Sequence, residues 1–323
     1  MNAKNDISNS AALADERVRR VGLFAGWGRY PVVIAETLRE QGCEVYCLGV
    51  PNHADPRLAE ICTDFRWCGM AKFGWASRYM RRHGVERATM AGKIFKHLLF
   101  QPFFILRQMP DLKTSRAFLH HFLTRRKDCK DDTLLGVVVE LFASEGIHLC
   151  PATDFAPELL VKEGMLTKRP ITPPEHLDIE FGWQVAKQMG KLDIGQSVAV
   201  KNQTVLAVEA VEGTDRCIQR AGELCRSGGF TVVKVAKPQQ DMRFDVPTVG
   251  VQTLETMVGA GAKVLAVEAE RTILLDHPEV IDFANRHKLT IIAVHPMQVE
   301  SARPAAQGGA SPQPNLHKHA RTM

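Results

Sequence analysis

Short apolar runs alternate with helix-like stretches along most of this chain, and the alternation occurs twice. Residues 18–25, 44–49 and 88–91 read as short strands, residues 31–39 and 133–143 as helices, and residues 147–150 as a closing strand. Pro31 suits the first turn of the first helix. A βαβ order of this kind implies a parallel sheet covered on both faces. The pattern breaks over residues 153–174, where Pro157, Pro170, Pro173, Pro174 and Gly164 fall together and one short helix is expected near 156–161. It resumes with a helix at 179–189, strands at 197–201 and 204–209, and a helix at 214–227 ended by Gly228-Gly229. A strand at 230–235, a helix at 253–259, a strand at 263–269, a helix at 278–287 and a strand at 289–294 complete it. The fold class is α/β, with two α/β domains joined by a Pro-rich linker and the N-terminal one Rossmann-like. The expected boundaries are a disordered tail at 1–17, a domain at 18–152, a linker at 153–176, a domain at 177–296 and a second disordered tail at 297–323.

At 323 residues, 45% of them apolar and 24% charged, the chain can bury a core without disulfide or metal staples. No run approaches the roughly 18 apolar residues of a membrane span. The richest, residues 98–106, is broken by Pro102 and flanked by Lys96 and Arg107. The eight cysteines (Cys43, Cys47, Cys62, Cys68, Cys129, Cys150, Cys217 and Cys225) include no CxxC pair, so structural zinc is not expected. Residues 2–17 are polar, which argues against a secretory leader and for reduced thiols in a cytoplasmic protein. His317 and His319 in the tail read as solvated. Net charge is only +5, yet residues 66–130 hold 15 Lys and Arg against 3 Asp and Glu. That block suits an anionic partner (phosphate, nucleic acid or a bilayer surface) or simply a solvated basic helix face.

Four segments carry chemistry. In Gly22-Leu-Phe-Ala-Gly26-Trp-Gly28-Arg-Tyr-Pro31, a glycine-containing loop leads from strand to helix. Such loops set backbone N–H groups at a helix N-terminus, where phosphate binds. The dinucleotide fingerprint fails, since Pro31 takes the third glycine position and no acidic residue ends the second strand, so NAD is not expected. Gly26 and Gly28 stand for a phosphate contact or for a tight βα turn. In Lys130-Asp131-Asp132-Thr133, Asp132 reads as a helix cap and Asp131 is open as a ligand for a divalent cation. In Glu209-Ala-Val-Glu212-Gly213-Thr214-Asp215, a cap accounts for Thr214 or Asp215 but not for Glu209 and Glu212 at the end of an apolar strand. The carboxyl end of a parallel strand is where α/β sheets bind ligands. The densest segment runs from Lys234 to Gly250 and includes Lys237, Gln240, Asp241, Arg243, Asp245 and Thr248. Its Lys and Arg suit a diphosphate, and its carboxylates suit a metal ion or a water nucleophile. An exposed polar loop has the same composition.

Taken together, the Glu209–Asp215 segment, Leu192-Asp193-Ile194-Gly195-Gln196 before it and Lys237-Pro238-x-Gln240-Asp241-x-Arg243-x-Asp245-x-Pro247-Thr248-x-Gly250 after it resemble the UDP-2,3-diacylglucosamine pyrophosphatase family of lipid A biosynthesis, of the metal-dependent two-domain type. The glycine loop and residues 130–135 are similar to that family too, although Trp27 stands where a small residue is expected. The resemblance implies hydrolysis of UDP-2,3-diacylglucosamine to UMP and 2,3-diacylglucosamine 1-phosphate with Mg²⁺ or Mn²⁺, and a lipid substrate enclosed between two α/β domains, the C-terminal one catalytic. It carries an essential carboxylate onto Asp245, with Asp241 the runner-up. Asp245 and Asp131 are the implied metal ligands. Gly26, Gly28, Glu212, Gly213, Thr214, Asp215, Lys237, Gln240, Arg243 and Thr248 are the implied substrate contacts. The basic block then suits docking at the inner face of the inner membrane, with residues 98–106 a candidate acyl contact. A homodimer is compatible with all of this. A sugar-nucleotide-binding protein without turnover is the alternative reading. Nucleic-acid binding through Phe73, Trp75 and Tyr79 ranks last, because no recognised motif supports it, and no nucleic acid is expected as partner.

Overall fold

The computed structural model describes residues 20–93, 110–124, 131–244 and 246–295, with side chains described except at 119–124 and 131–134. Asp245, Lys130, the apolar run 98–106 and the tails at 1–17 and 297–323 lie outside the described residues. The first half runs β1 (Arg20–Ala25), α1 (Tyr30–Glu40), β2 (Glu44–Gly49), α2 (Leu58–Ile61), β3 (Asp64–Trp67), α3 (Phe73–Arg82), β4 (Arg87–Ala91), α4 (Leu112–Thr124), α5 (Asp131–Ala143) and β5 (His148–Leu149). Its strands form one parallel sheet in the order β3-β2-β1-β4-β5. Chain order reverses beside β1, so the loops after β1 and β4 flank the switch point where sheets of this kind bind ligands. Val21, Leu23 and Ala25 of β1 bury against Ile34 and Leu38 of α1. Phe24, on the other face, meets Phe142 of α5 edge-on with ring centroids 5.1 Å apart.

The second half runs β6 (Gly164–Met165), α6 (Pro173–Lys191), β7 (Ser197–Lys201), β8 (Thr204–Val208), α7 (Thr214–Leu224), β9 (Thr231–Lys234), β10 (Thr248–Val249), α8 (Val251–Ala260), β11 (Val264–Glu268), β12 (Ile273–Leu274), α9 (His277–Arg286) and β13 (Thr290–Val294). Its main sheet has the order β6-β13-β11-β9-β7-β8. Strands β9, β11 and β13 are parallel, while β6 and β7 run antiparallel to their neighbours, so this sheet is mixed. The parallel core explains the continuous apolar runs: every residue of β9 and β11 is buried.

Several elements differ from the sequence expectation. Strand β3 reads Asp-Phe-Arg-Trp, and its single apolar face on an edge strand left no apolar run to find. Helices α3 and α4 lie within the basic block, where charge obscures the spacing. The helix expected near 156–161 is a 3₁₀ turn at Pro157–Leu159. Pro173 and Pro174 open α6 instead of closing the connector: Thr172 and Glu175 form a capping box, and proline is tolerated where helix N–H groups have no partner. Helix α5 already includes Asp131, so Asp132 lies in its first turn and is not the cap.

The halves share a core. Ile273 and Leu275 bury in the same cluster as Val21, Leu23 and Ile34. Leu160 bridges to Ile273, and Val161 donates to the Thr272 carbonyl at 3.0 Å.

Candidate functional site

The loop after β1 is tied to the loop after β4. Gly26 N–H donates to the Ala91 carbonyl at 2.8 Å, and Trp27 and Lys93 exchange two backbone bonds of 2.9 Å. A Cβ on Gly26 would stand 2.9 Å from the Lys93 carbonyl oxygen, and one on Gly92 would stand 2.8 Å from the Gly26 carbonyl carbon. Gly26 is therefore glycine because two backbones meet there, and its N–H and that of Trp27 are already committed. Gly28, at φ +106°, has open space where a Cβ would point.

From this switch point the first half reaches the second. The Lys93 ammonium lies 2.8 Å from where a Gly213 Cβ would stand. The Arg29 fork spans both Asp276 oxygens at 3.3 Å, and Asp276 precedes α9. The carboxyl edges of the two sheets thus face one another at Lys93 and Arg29.

On the far side Gly213, at φ 84° and ψ 171°, begins α7 in a conformation open essentially to glycine alone. The buried Thr214 hydroxyl donates to Glu209 Oε1 at 3.1 Å and accepts from Lys234 Nζ at 3.3 Å. Lys234 also donates to the Thr248 carbonyl at 2.9 Å, and Ser197 Oγ lies 3.3 Å from Thr214 Oγ1. Glu209 Oε2 is buried without a hydrogen-bond partner among the described residues. Glu212 turns away to Arg220 at 2.9 Å, and Arg220 also bonds the Val208 carbonyl, so Glu212 clamps the β8–α7 loop instead of joining Thr214. Asp215 sits half-buried in the first turn of α7.

The polar segment after β9 is folded on itself. Lys237 Nζ meets Asp193 Oδ1 at 2.5 Å, and Gln240 Oε1 accepts the Lys237 N–H at 3.2 Å. Arg243 grips Asp241 through Nε at 2.9 Å and Nη2 at 2.5 Å, and holds its carboxyl below the usual carboxylate range although burial pushes the other way. Asp241 is therefore spent on Arg243. Thr248 Oγ1 donates to the Val246 carbonyl at 2.9 Å. Asp245 is outside the described residues, between the buried Phe244 and Val246, which packs on the core of the first half.

Four features escaped sequence reasoning. Glu268 ends β11 only 1% exposed, accepts the Ala236 N–H at 2.8 Å and pairs with Lys187 Nζ at 2.6 Å. Lys187 also bonds the Ala236 carbonyl, so the pair anchors the start of the polar segment. Lys234, Lys93 and the Arg29–Asp276 contact are the others. The one readable signal was a charged residue closing an apolar strand, at Lys234 and at Glu268.

Among the described residues no cluster of three or more His, Cys, Asp or Glu is placed to hold a metal ion. Asp193, Glu212, Asp241 and Glu268 each face a cation. The described side chains do not make a metal site by themselves. Leu192, Ile194 and Val211 are exposed at the carboxyl edge of the second half. An open groove backed by Gly222, Gly228, Ala260 and Gly261 lies at the opposite edge of that half's sheet, away from the candidate residues.

The models of the LpxI N-terminal domain and the LpxI C-terminal domain match residues 20–159 and 162–292. A Caulobacter vibrioides protein named UDP-2,3-diacylglucosamine pyrophosphatase LpxI is 32% identical over 297 residues, which cover 87% of this chain and 99% of that protein.

Proposed function

The chain belongs to the LpxI family, and from that premise we propose that it is a phosphoanhydride hydrolase that splits UDP-2,3-diacylglucosamine into UMP and 2,3-diacylglucosamine 1-phosphate. The observation that carries the reading is the opposition of two carboxyl edges, with Lys93 on one and the N-terminus of α7 on the other. A diphosphate seated between them meets an ammonium and a helix N-terminus at once, the two features that favour phosphate.

The leaving group of a phosphoanhydride is already good, so the protein's work is to neutralise charge and to hold water in line. Lys93 brings positive charge to the Gly213 turn, whereas the charge of Lys237 is met by Asp193. Arg243 lies in the same polar segment with its fork closed on Asp241, so it reaches a substrate only if that pair opens. Lys234, held by Thr214 and Thr248, sits under the α7 N-terminus. Bound Mg²⁺ or Mn²⁺ would neutralise the non-bridging oxygens, and Asp245 and Asp131 are the carboxylates this reading assigns to it.

The test is direct. Purified protein is incubated with UDP-2,3-diacylglucosamine in detergent, with Mg²⁺, Mn²⁺ or EDTA, and UMP and the sugar phosphate are followed. The expected result is metal-dependent UMP release, lost at least 100-fold in Asp245→Ala, a loss of about 2.7 kcal/mol or more in transition-state stabilisation. Saturable UDP binding without UMP would instead make the chain a sugar-nucleotide-binding protein. Release that survives Asp245→Ala would move the essential carboxylate elsewhere.

A further inference from the structure

Large apolar side chains left exposed on the first half are not scattered. Among its described residues they are Trp27, Trp67, Trp75 and Leu112. Trp27 follows β1, Trp67 ends β3 and Trp75 is in the first turn of α3, the helix that follows β3, so all three stand at the carboxyl edge of the sheet. Leu112 joins them because Asp111 accepts the Trp75 N–H at 2.7 Å and the Thr114 N–H at 2.9 Å, which fastens the start of α4 to the start of α3. Trp67 is 50% exposed and Leu112 87%, values that burial in a monomer does not explain. Exposed Arg66, Lys72 and Arg78 lie on the same segments.

We propose that Trp67, Trp75 and Leu112, with Arg66, Lys72 and Arg78, form a docking face for an anionic lipid bilayer at the carboxyl edge of the first sheet. Indole rings partition to the boundary between headgroup and acyl chain, and basic side chains near an anionic surface add attraction. Tryptophan beside arginine and lysine fits that boundary better than it fits water. No helix among the described residues is long and apolar enough to cross a membrane, so the face lies on the bilayer and does not span it. The inference rests on the proposed function in one respect: a lipid-borne substrate explains why the face sits at the carboxyl edge and not elsewhere.

The experiment is co-sedimentation of the full chain with vesicles of phosphatidylcholine alone or with phosphatidylglycerol added, read with tryptophan fluorescence. Binding is expected only to the anionic vesicles, with a blue shift and release by salt. Lys72→Glu/Arg78→Glu, two substitutions at exposed positions, should weaken binding at least 20-fold, since each basic group near the surface contributes roughly fivefold. Trp67→Ser/Trp75→Ser should remove the blue shift. Both variants should release UMP at the parent rate from substrate in detergent micelles and more slowly from substrate in vesicles. Equal binding to neutral and anionic vesicles, or binding unchanged in both variants, overturns the proposal. Vesicle binding without UMP release under any condition would leave the docking face standing and sink the hydrolase. Micelle turnover without vesicle binding would do the reverse.

Discussion

Lys93 is the side chain through which the first half touches the site of the second. It is exposed, it follows a strand at the sheet's switch point, and its ammonium lies against Gly213. If that ammonium neutralises substrate charge, Lys93→Met should lower kcat/KM by about 10- to 100-fold, or about 1.4 to 2.7 kcal/mol, with little change in Tm. Steady-state kinetics beside a thermal melt separates this from a folding defect, in which both quantities fall. Much of this residue-level picture is absent from the sequence for a plain reason. Glu268 and Lys187 are 81 positions apart, and their ion pair exists only because α6 packs across β7 and β9, next to the end of β11. Burying either charge alone would cost several kcal/mol, so each requires the other. Asp241 and Arg243 are two positions apart and were visible as a cluster, but only the fold shows that each is satisfied by the other. Glu209 and Thr214 were readable as a strand end meeting a helix start, and there the chain is local enough that sequence and site coincide.

Secondary elements form where local chemistry agrees with the fold, and α6 shows how. Thr172 and Glu175 close its N-terminus, proline occupies its first positions, and Arg169 holds Glu175 at 2.6 Å. Although burial pushes the Glu175 carboxyl upward, Arg169 and Thr172 together bring it below its ordinary 4.5. A carboxylate with a depressed pKa contributes its stabilisation fully above that ordinary value and loses it as pH falls through the folded pKa. Glu175→Gln keeps the shape and the capping acceptor but removes the charge-assisted bond to Arg169. It should therefore cost about 1–2 kcal/mol at pH 7, with the gap to the parent closing below about pH 4.5. Urea unfolding at a series of pH values measures that gap, and a gap that stays constant through pH 3 would show that the ion pair contributes nothing. The same element shows what the sequence conceals. Four prolines within 18 positions read as a connector, yet two of them begin a 19-residue helix, because proline marks a helix start and a loop alike. Strand β3 was hidden differently: four residues at a sheet edge, with Asp64 and Arg66 on one face, carry no run of apolar residues.

At the scale of the whole molecule, the two sheets depend on one another. The cluster that buries Val21, Leu23 and Ile34 of the first half also takes Ile273 and Leu275 of the second, and the chain between them pairs Leu160 with Ile273. The halves are therefore joined by shared core and, at their surface, by the Arg29–Asp276 pair. That pair is partly exposed, so it orients the halves more than it holds them together. Residue 273 is the place to test the coupling, because it is fully buried and touches both halves. Ile273→Ala removes about three buried carbons and should destabilise the protein by about 2–5 kcal/mol. If the halves fold as one cooperative unit, near-ultraviolet circular dichroism, which senses the tryptophans of the first half and Trp183 of the second, should lose its signal in a single transition that coincides with far-ultraviolet unfolding. The substitution should then move that transition to lower denaturant without splitting it. Two transitions in the variant, one of them at the parent midpoint, would mean that the shared core is a contact between independent domains, and that the geometry between the halves depends on the surface pairs alone.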